Sequence, residues 1–181
     1  MIQAPDEHYR RYSQRPFPPY RFVVGVNPHP TEDPQGHSYG LQSEDPGILK
    51  PDKWPENETY LFGVDLYNYA FWWESHEVFE SLWKRLAKDD PTSHFLQGLI
   101  KISAAFFKWN LKQQKGLEIL YSGGIGHLQR VLDLDNSTVY MGLNLMDHIA
   151  KLSIHFREVI AEFHKWPDPL VNYPFIVLEK V

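Results

Sequence analysis

The sequence predicts an all-α fold: a compact bundle of about five helices, with an extended proline-rich N-terminal arm and an extended C-terminal tail. Two observations carry this. Ten of the fourteen prolines lie in the first 55 residues, where fixed φ and missing backbone donors rule out long helices. From Asn57 onward apolar residues recur with helical spacing. With 43% hydrophobic and 15% aromatic residues among 181, the side chains suffice for a packed core.

In chain order, residues 1–56 read as an arm packed on a bundle spanning 57–165, followed by an extended tail over 166–181. Within the arm, Tyr20–Val26 is a short strand or an extended apolar anchor, and the turn-rich stretch Asn27–Gly40 follows. Phe17, Tyr20, Phe22 and Tyr39 are the expected anchors onto the helical surface. A first helix is expected over Glu58–Tyr67 and a second over Phe71–Ala87, with their junction near Asn68. Asp90 followed by Pro91 supplies a cap and a first-turn proline for a third helix running to about Lys112, whose core face is Phe95, Leu99, Ile102 and Phe106. A fourth covers Gly116–Leu132 with Leu117, Leu120, Tyr121, Leu128 and Val131 inward. There Gly123, Gly124 and Gly126 either permit close helix approach or break the helix. Asn144 caps a fifth, with Leu145, Ile149, Leu152, Phe156 and Phe163 forming a stripe that ends before Pro167. His148 and His155 are expected at the bundle edge.

Charge and composition narrow the function classes. A net charge of -5 without a dense Lys/Arg block disfavours nucleic acid. No apolar run approaches the roughly 20 residues of a membrane span, and the N-terminus lacks the order of a signal peptide, so a cytoplasmic protein is expected. Without cysteine, disulfides and thiolate chemistry are absent, and any metal needs His, Asp or Glu ligands.

The second helix carries the candidate chemistry. On a 3.6-residue wheel Trp72, Phe79, Trp83 and Leu86 share a face into which His76 falls, so His76 is expected buried and the helix the most enclosed in the bundle. Glu80, four residues on, pairs with His76, whereas Glu77 points nearly the opposite way. An imidazole and a carboxylate one turn apart converge on one point, as metal or small-ligand chemistry needs. A core histidine satisfied by a neighbouring carboxylate has the same sequence. The His-Glu-x-x-Glu pattern departs from the zinc-protease motif, which has histidine where Glu80 stands. Trp73 lies beside Glu80, and Trp72 reads as core. In the arm, His29, Asp33 and His37, with Ser38 and Tyr39 just after, form a second constellation that is expected to approach the second helix.

The stretch Tyr67-Asn-Tyr-Ala-Phe-Trp-Trp-Glu-Ser-His-Glu-Val-Phe-Glu-Ser-Leu-Trp83, followed by Phe95-Leu-Gln-Gly-Leu-Ile-Lys-Ile-Ser-Ala-Ala105, resembles the uncharacterised all-α family catalogued as domain of unknown function 309, over roughly Tyr60 to Leu132. The resemblance implies a helical bundle and a signature that falls on Asn68, Glu74, His76, Glu77, Glu80, Trp83, Gln97 and Gly98. It groups Glu77 and Gln97 with His76. Ala70 stands where the family has glycine, which bears on the helix junction. Ser75 replaces alanine and puts a hydroxyl near His76.

The expectation is therefore a His/Glu/Gln cluster with His76, Glu77 and Glu80 as catalytic residues of hydrolase type, and Asn68, Trp73, Trp83, Gln97, His37 and Tyr39 as ligand-binding residues. A divalent metal would be held by His76, Glu80, His29 and His37. The alternative is a non-catalytic protein-binding or scaffold module in which the same cluster is structural.

Overall fold

The computed structural model describes residues 10–42, 45–165 and 173–179. Five helices follow one another: α1 (Glu58–Asn68), α2 (Trp72–Trp83), α3 (Pro91–Asn110), α4 (Gln114–Asp135) and α5 (Leu145–Ala161). Each of the first four packs on the next, as short connections favour.

Local chemistry sets the boundaries. Asn57 caps α1 by accepting the Tyr60 N–H at 2.7 Å, and Asp90 caps α3 by accepting that of Thr92 at 2.7 Å. Between α1 and α2 the chain turns through Ala70, at φ +61°. The Ala70 N–H donates to Tyr67 O at 3.1 Å and the Phe71 N–H to Leu66 O at 2.8 Å, which is the Schellman arrangement. This left-handed position accounts for the resembled family's glycine, and an alanine here keeps the junction sharp at the cost of strain. α3 stops the same way at Lys112, φ +58°.

The core is built from Phe95, Leu99, Ile102 and Phe106 of α3, with Leu117, Leu128 and Val131 of α4 and Leu145, Leu152 and Phe156 of α5, all fully buried. The glycines of α4 do not break it. Gly98 and Gly124 lie where α3 and α4 cross: a Cβ at Gly98 would come within 2.5 Å of Leu128, and one at Gly124 within 2.8 Å of Ile102. A hairpin absent from the sequence reading joins α4 to α5, pairing β1 (Val139–Tyr140) with β2 (Leu143–Asn144). Its two turn residues, Met141 and Gly142, have φ of +47° and +79°, the sign pair that matches the twist of a tight hairpin.

Three expectations are corrected. The most enclosed helix is α1, which buries nine of its eleven residues, because arm, tail, α2 and α3 surround it. α2 is shorter than expected and ends at Trp83, with Leu86 in the turn beyond. His148 and His155 are buried, not at an edge; Tyr67 packs on the first, and Phe106 and Trp109 on the second.

Among its described residues the arm forms no strand. Phe17 stacks on Phe71, and Phe22 packs between Trp73 and Phe107. Tyr39, expected as an anchor, is 49% exposed. In the tail, residues 173–179 run along the bundle with Tyr173, Ile176 and Leu178 buried, and Leu178 bridges to Leu143. The remaining tail residues, 166–172 and 180–181, lie outside the described residues, as does Pro167, before which the fifth helix was to end.

Candidate functional site

α2 projects successive side chains in different directions, and the structure separates residues that the sequence grouped. His76 is half-buried, with 29% of its side chain exposed, and its Nδ1 lies 3.2 Å from Glu77 Oε1. The expected burial of His76 and its pairing with Glu80 are both corrected. Glu80 instead takes Lys84, also one turn away, at 2.8 Å. The grouping of Glu77 with His76 that the resemblance implied matches this geometry. The hydrogen bond from His76 holds the Glu77 carboxyl below its usual range, helped by the charges of His76, Lys84 and His29 against partial burial. Ser75 turns away from His76, into the α1–α2 interface, where its hydroxyl donates to Gly63 O at 3.0 Å. Gln97 is half-buried on α3, and the Trp83 indole N–H donates to Ser93 Oγ at 2.9 Å.

The arm meets α2 at Trp73 and Glu74, two to three residues before His76. Glu74, almost wholly buried, accepts the Phe22 N–H on Oε1 at 2.8 Å, and the same oxygen lies 3.3 Å from His37 Nε2. The other ring nitrogen of His37 lies 2.8 Å from Ser38 Oγ, while Tyr20 packs against the ring and its hydroxyl accepts the His37 N–H. His29 packs edge-on against Trp73 and Phe22. Its Nδ1 accepts from the N–H groups of Thr31 and Glu32, so it organises its own loop. Glu74, like Gly98, is a member of the resembled signature left out of the expected site. The signal that could have singled it out was its place between Trp72 and Phe79 on a helix whose other faces had to meet the arm.

A similar fastening occurs on α1. Asp65, fully buried, accepts the N–H groups of Tyr12 and Ser13 at 2.8 and 2.9 Å and pairs with Arg11 at 3.3 Å. Burial pushes its carboxyl up despite these partners. Glu58 accepts the Ser13 hydroxyl and the Gln14 N–H. Asn68, expected as a ligand residue, grips the tail: its amide donates to Ile176 O and accepts the Ile176 N–H, both at 2.8 Å. Tyr67 donates to Pro174 O, and the Tyr173 hydroxyl to Asn68 O.

A small cleft opens between arm and bundle, lined by Arg21, Phe22, Val23, Ala70, Trp72, Phe107 and Asn110. Neither His76, Glu77 nor Glu80 lines it. The four side chains expected to share a metal are divided: His76 with Glu77, Glu80 with Lys84, His37 with Glu74, and His29 with Trp73. Among the described residues no three His, Asp or Glu side chains gather as metal ligands would, and no helix is long and apolar enough to cross a membrane.

No curated protein matches the chain. Residues 60–120, from α1 into the first turns of α4, match the model of the family described as Domain of unknown function (DUF309), the family that the sequence resembles.

Proposed function

We propose that the protein is a non-catalytic binding module: a helical platform that holds an ordered arm in a fixed shape for a partner protein. The observation that carries this reading is how the buried polar groups of α1 and α2 are used. Asp65, Glu74 and Asn68 take main-chain groups of the arm and tail, where they satisfy backbone donors that would otherwise be buried without partners. Acids engaged in this way are held by the fold and do not face an open cavity, which hydrolysis would require of a general base.

The arm's own surface supports the same reading. Val24, Val26, Leu41 and Ile48 are each more than half exposed, although the segment is tied down by hydrogen bonds and aromatic contacts. Exposed apolar side chains on a segment that is held in place suit a protein partner, since little conformational freedom is lost on binding.

Two measurements test this together. Purified protein, with and without added Zn2+ or Mn2+, is assayed on generic carboxylic esters, phosphoesters and peptides. Turnover that vanishes in His76→Ala or Glu77→Gln while the fold is kept overturns the proposal in favour of the hydrolase reading. In parallel, proteins captured by the wild type are compared with those captured by the variants. The expected result is a partner lost with Val26→Asp or Leu41→Asp and retained with His76→Ala.

A further inference from the structure

His94 on α3 and His127 on α4 point at one another across the helix pair, with their Nδ1 atoms 3.0 Å apart and ring centroids 5.2 Å apart. The crossing at Gly98 and Gly124 places them there. His94 lies one turn before Gly98 and His127 one turn after Gly124, and backbone-close packing at the glycines fixes the separation of the two turns. Both histidines are half-buried, so water and ions reach them.

A separation of 3.0 Å fits two arrangements. In one, a single Nδ1–H donates to the other Nδ1. In the other, each ring turns by roughly 45° from the head-on arrangement that the centroid separation of 5.2 Å shows, so that both lone pairs meet at one ion, because two nitrogens about 2.0–2.1 Å from a metal and at right angles lie about 2.9 Å apart. A near-right-angle pair of imidazoles suits tetragonal ions. We propose that His94 and His127 form a two-imidazole site for a divalent transition ion of tetragonal preference, Cu2+ or Ni2+, with water completing the coordination. This site is separate from the α2 residues and independent of the binding-module reading.

The surroundings tune it in two directions. Burial first, then the Lys101 ammonium and His94, push the His127 imidazolium below its usual range, which leaves the ring neutral and its lone pair available. The same ammonium, which reaches the α4 backbone at Gly123, repels an incoming cation.

The test is calorimetric titration of the full chain with Ni2+ and Cu2+, with circular dichroism to verify each variant's fold. One ion per chain is expected, weakened roughly tenfold or more by His94→Ala and by His127→Ala, unchanged by His76→Ala or His164→Ala, and tightened by Lys101→Gln. Electron paramagnetic resonance of the Cu2+ form should show two equivalent imidazole nitrogens. No binding to the wild type, equal binding to the His94→Ala/His127→Ala double variant, or loss with His76→Ala overturns the proposal. Neither histidine is among the fully buried residues, so the variants are expected to fold and remain measurable.

Discussion

Replacing Asn68 by alanine separates its structural role from a ligand role. Its amide is the partner of both main-chain groups of Ile176, a residue with no exposed surface. Truncation leaves a buried N–H and a buried C=O unpaired, each costing about 1–3 kcal/mol, so the intact docked state should lose roughly 2–6 kcal/mol. Total stabilities of domains are about 5–15 kcal/mol, and a cost of this size favours release of the tail before global unfolding. Urea unfolding followed by tryptophan fluorescence measures the loss. Limited chymotrypsin digestion after Phe175 reports tail release, with cleavage expected to be faster in Asn68→Ala. Asn68→Asp, almost isosteric, keeps the acceptor for the Ile176 N–H but turns a carboxylate toward the Ile176 carbonyl, and should be at least as damaging at neutral pH. A loss below about 0.5 kcal/mol, with unchanged digestion, would refute the claim that Asn68 fastens the tail.

Three further outcomes are expected. Ala70→Gly should stabilise by about 0.5 kcal/mol, because relief of a left-handed alanine, about 1–2 kcal/mol, exceeds the added freedom of the unfolded chain; calorimetry showing a lower Tm would contradict the strained junction. Burial lowers His148 and His155 to a pKa of about 4 each; the unfolded chain therefore binds more protons below about pH 6.5, and the stability present above that pH falls by roughly 3 kcal/mol per histidine as pH drops toward 4. Urea midpoints measured from pH 7 to 4.5 should show this loss, and His148→Leu should roughly halve it. Deleting residues 1–50 should uncover Trp73 and Phe107 and strip Asp65 and Glu74 of their arm partners; raised binding of a hydrophobic dye and a lower Tm are expected, and a soluble variant of unchanged Tm would oppose it.

What the sequence made legible was local. The caps at Asp90 and Asn144, the face of Phe95, Leu99, Ile102 and Phe106, and the helix-poor arm all depend on neighbours within a turn or on φ restriction, so residue type and spacing suffice. The resemblance added that Glu77 accompanies His76, which the wheel had denied, since adjacent side chains meet only through rotamers that a wheel leaves out. The site was misread for a related reason: a wheel shows which residues share a face, not what covers it. His76 shares its stripe with Trp72 and Phe79, yet it lies where that stripe leaves the core, and Lys84 competed successfully for Glu80.

By itself the sequence determined an all-α chain with capped helices and a proline-rich arm, because those properties are set by backbone chemistry within a few residues. Only the tertiary structure decided that Glu74 and Asp65 hold the arm, that Asn68 holds the tail 108 residues away, and that His94 meets His127 across a glycine crossing. Each of these pairings closes a long loop whose partners are chosen by which buried donors still lack an acceptor after the helices pack, and no local pattern encodes that choice.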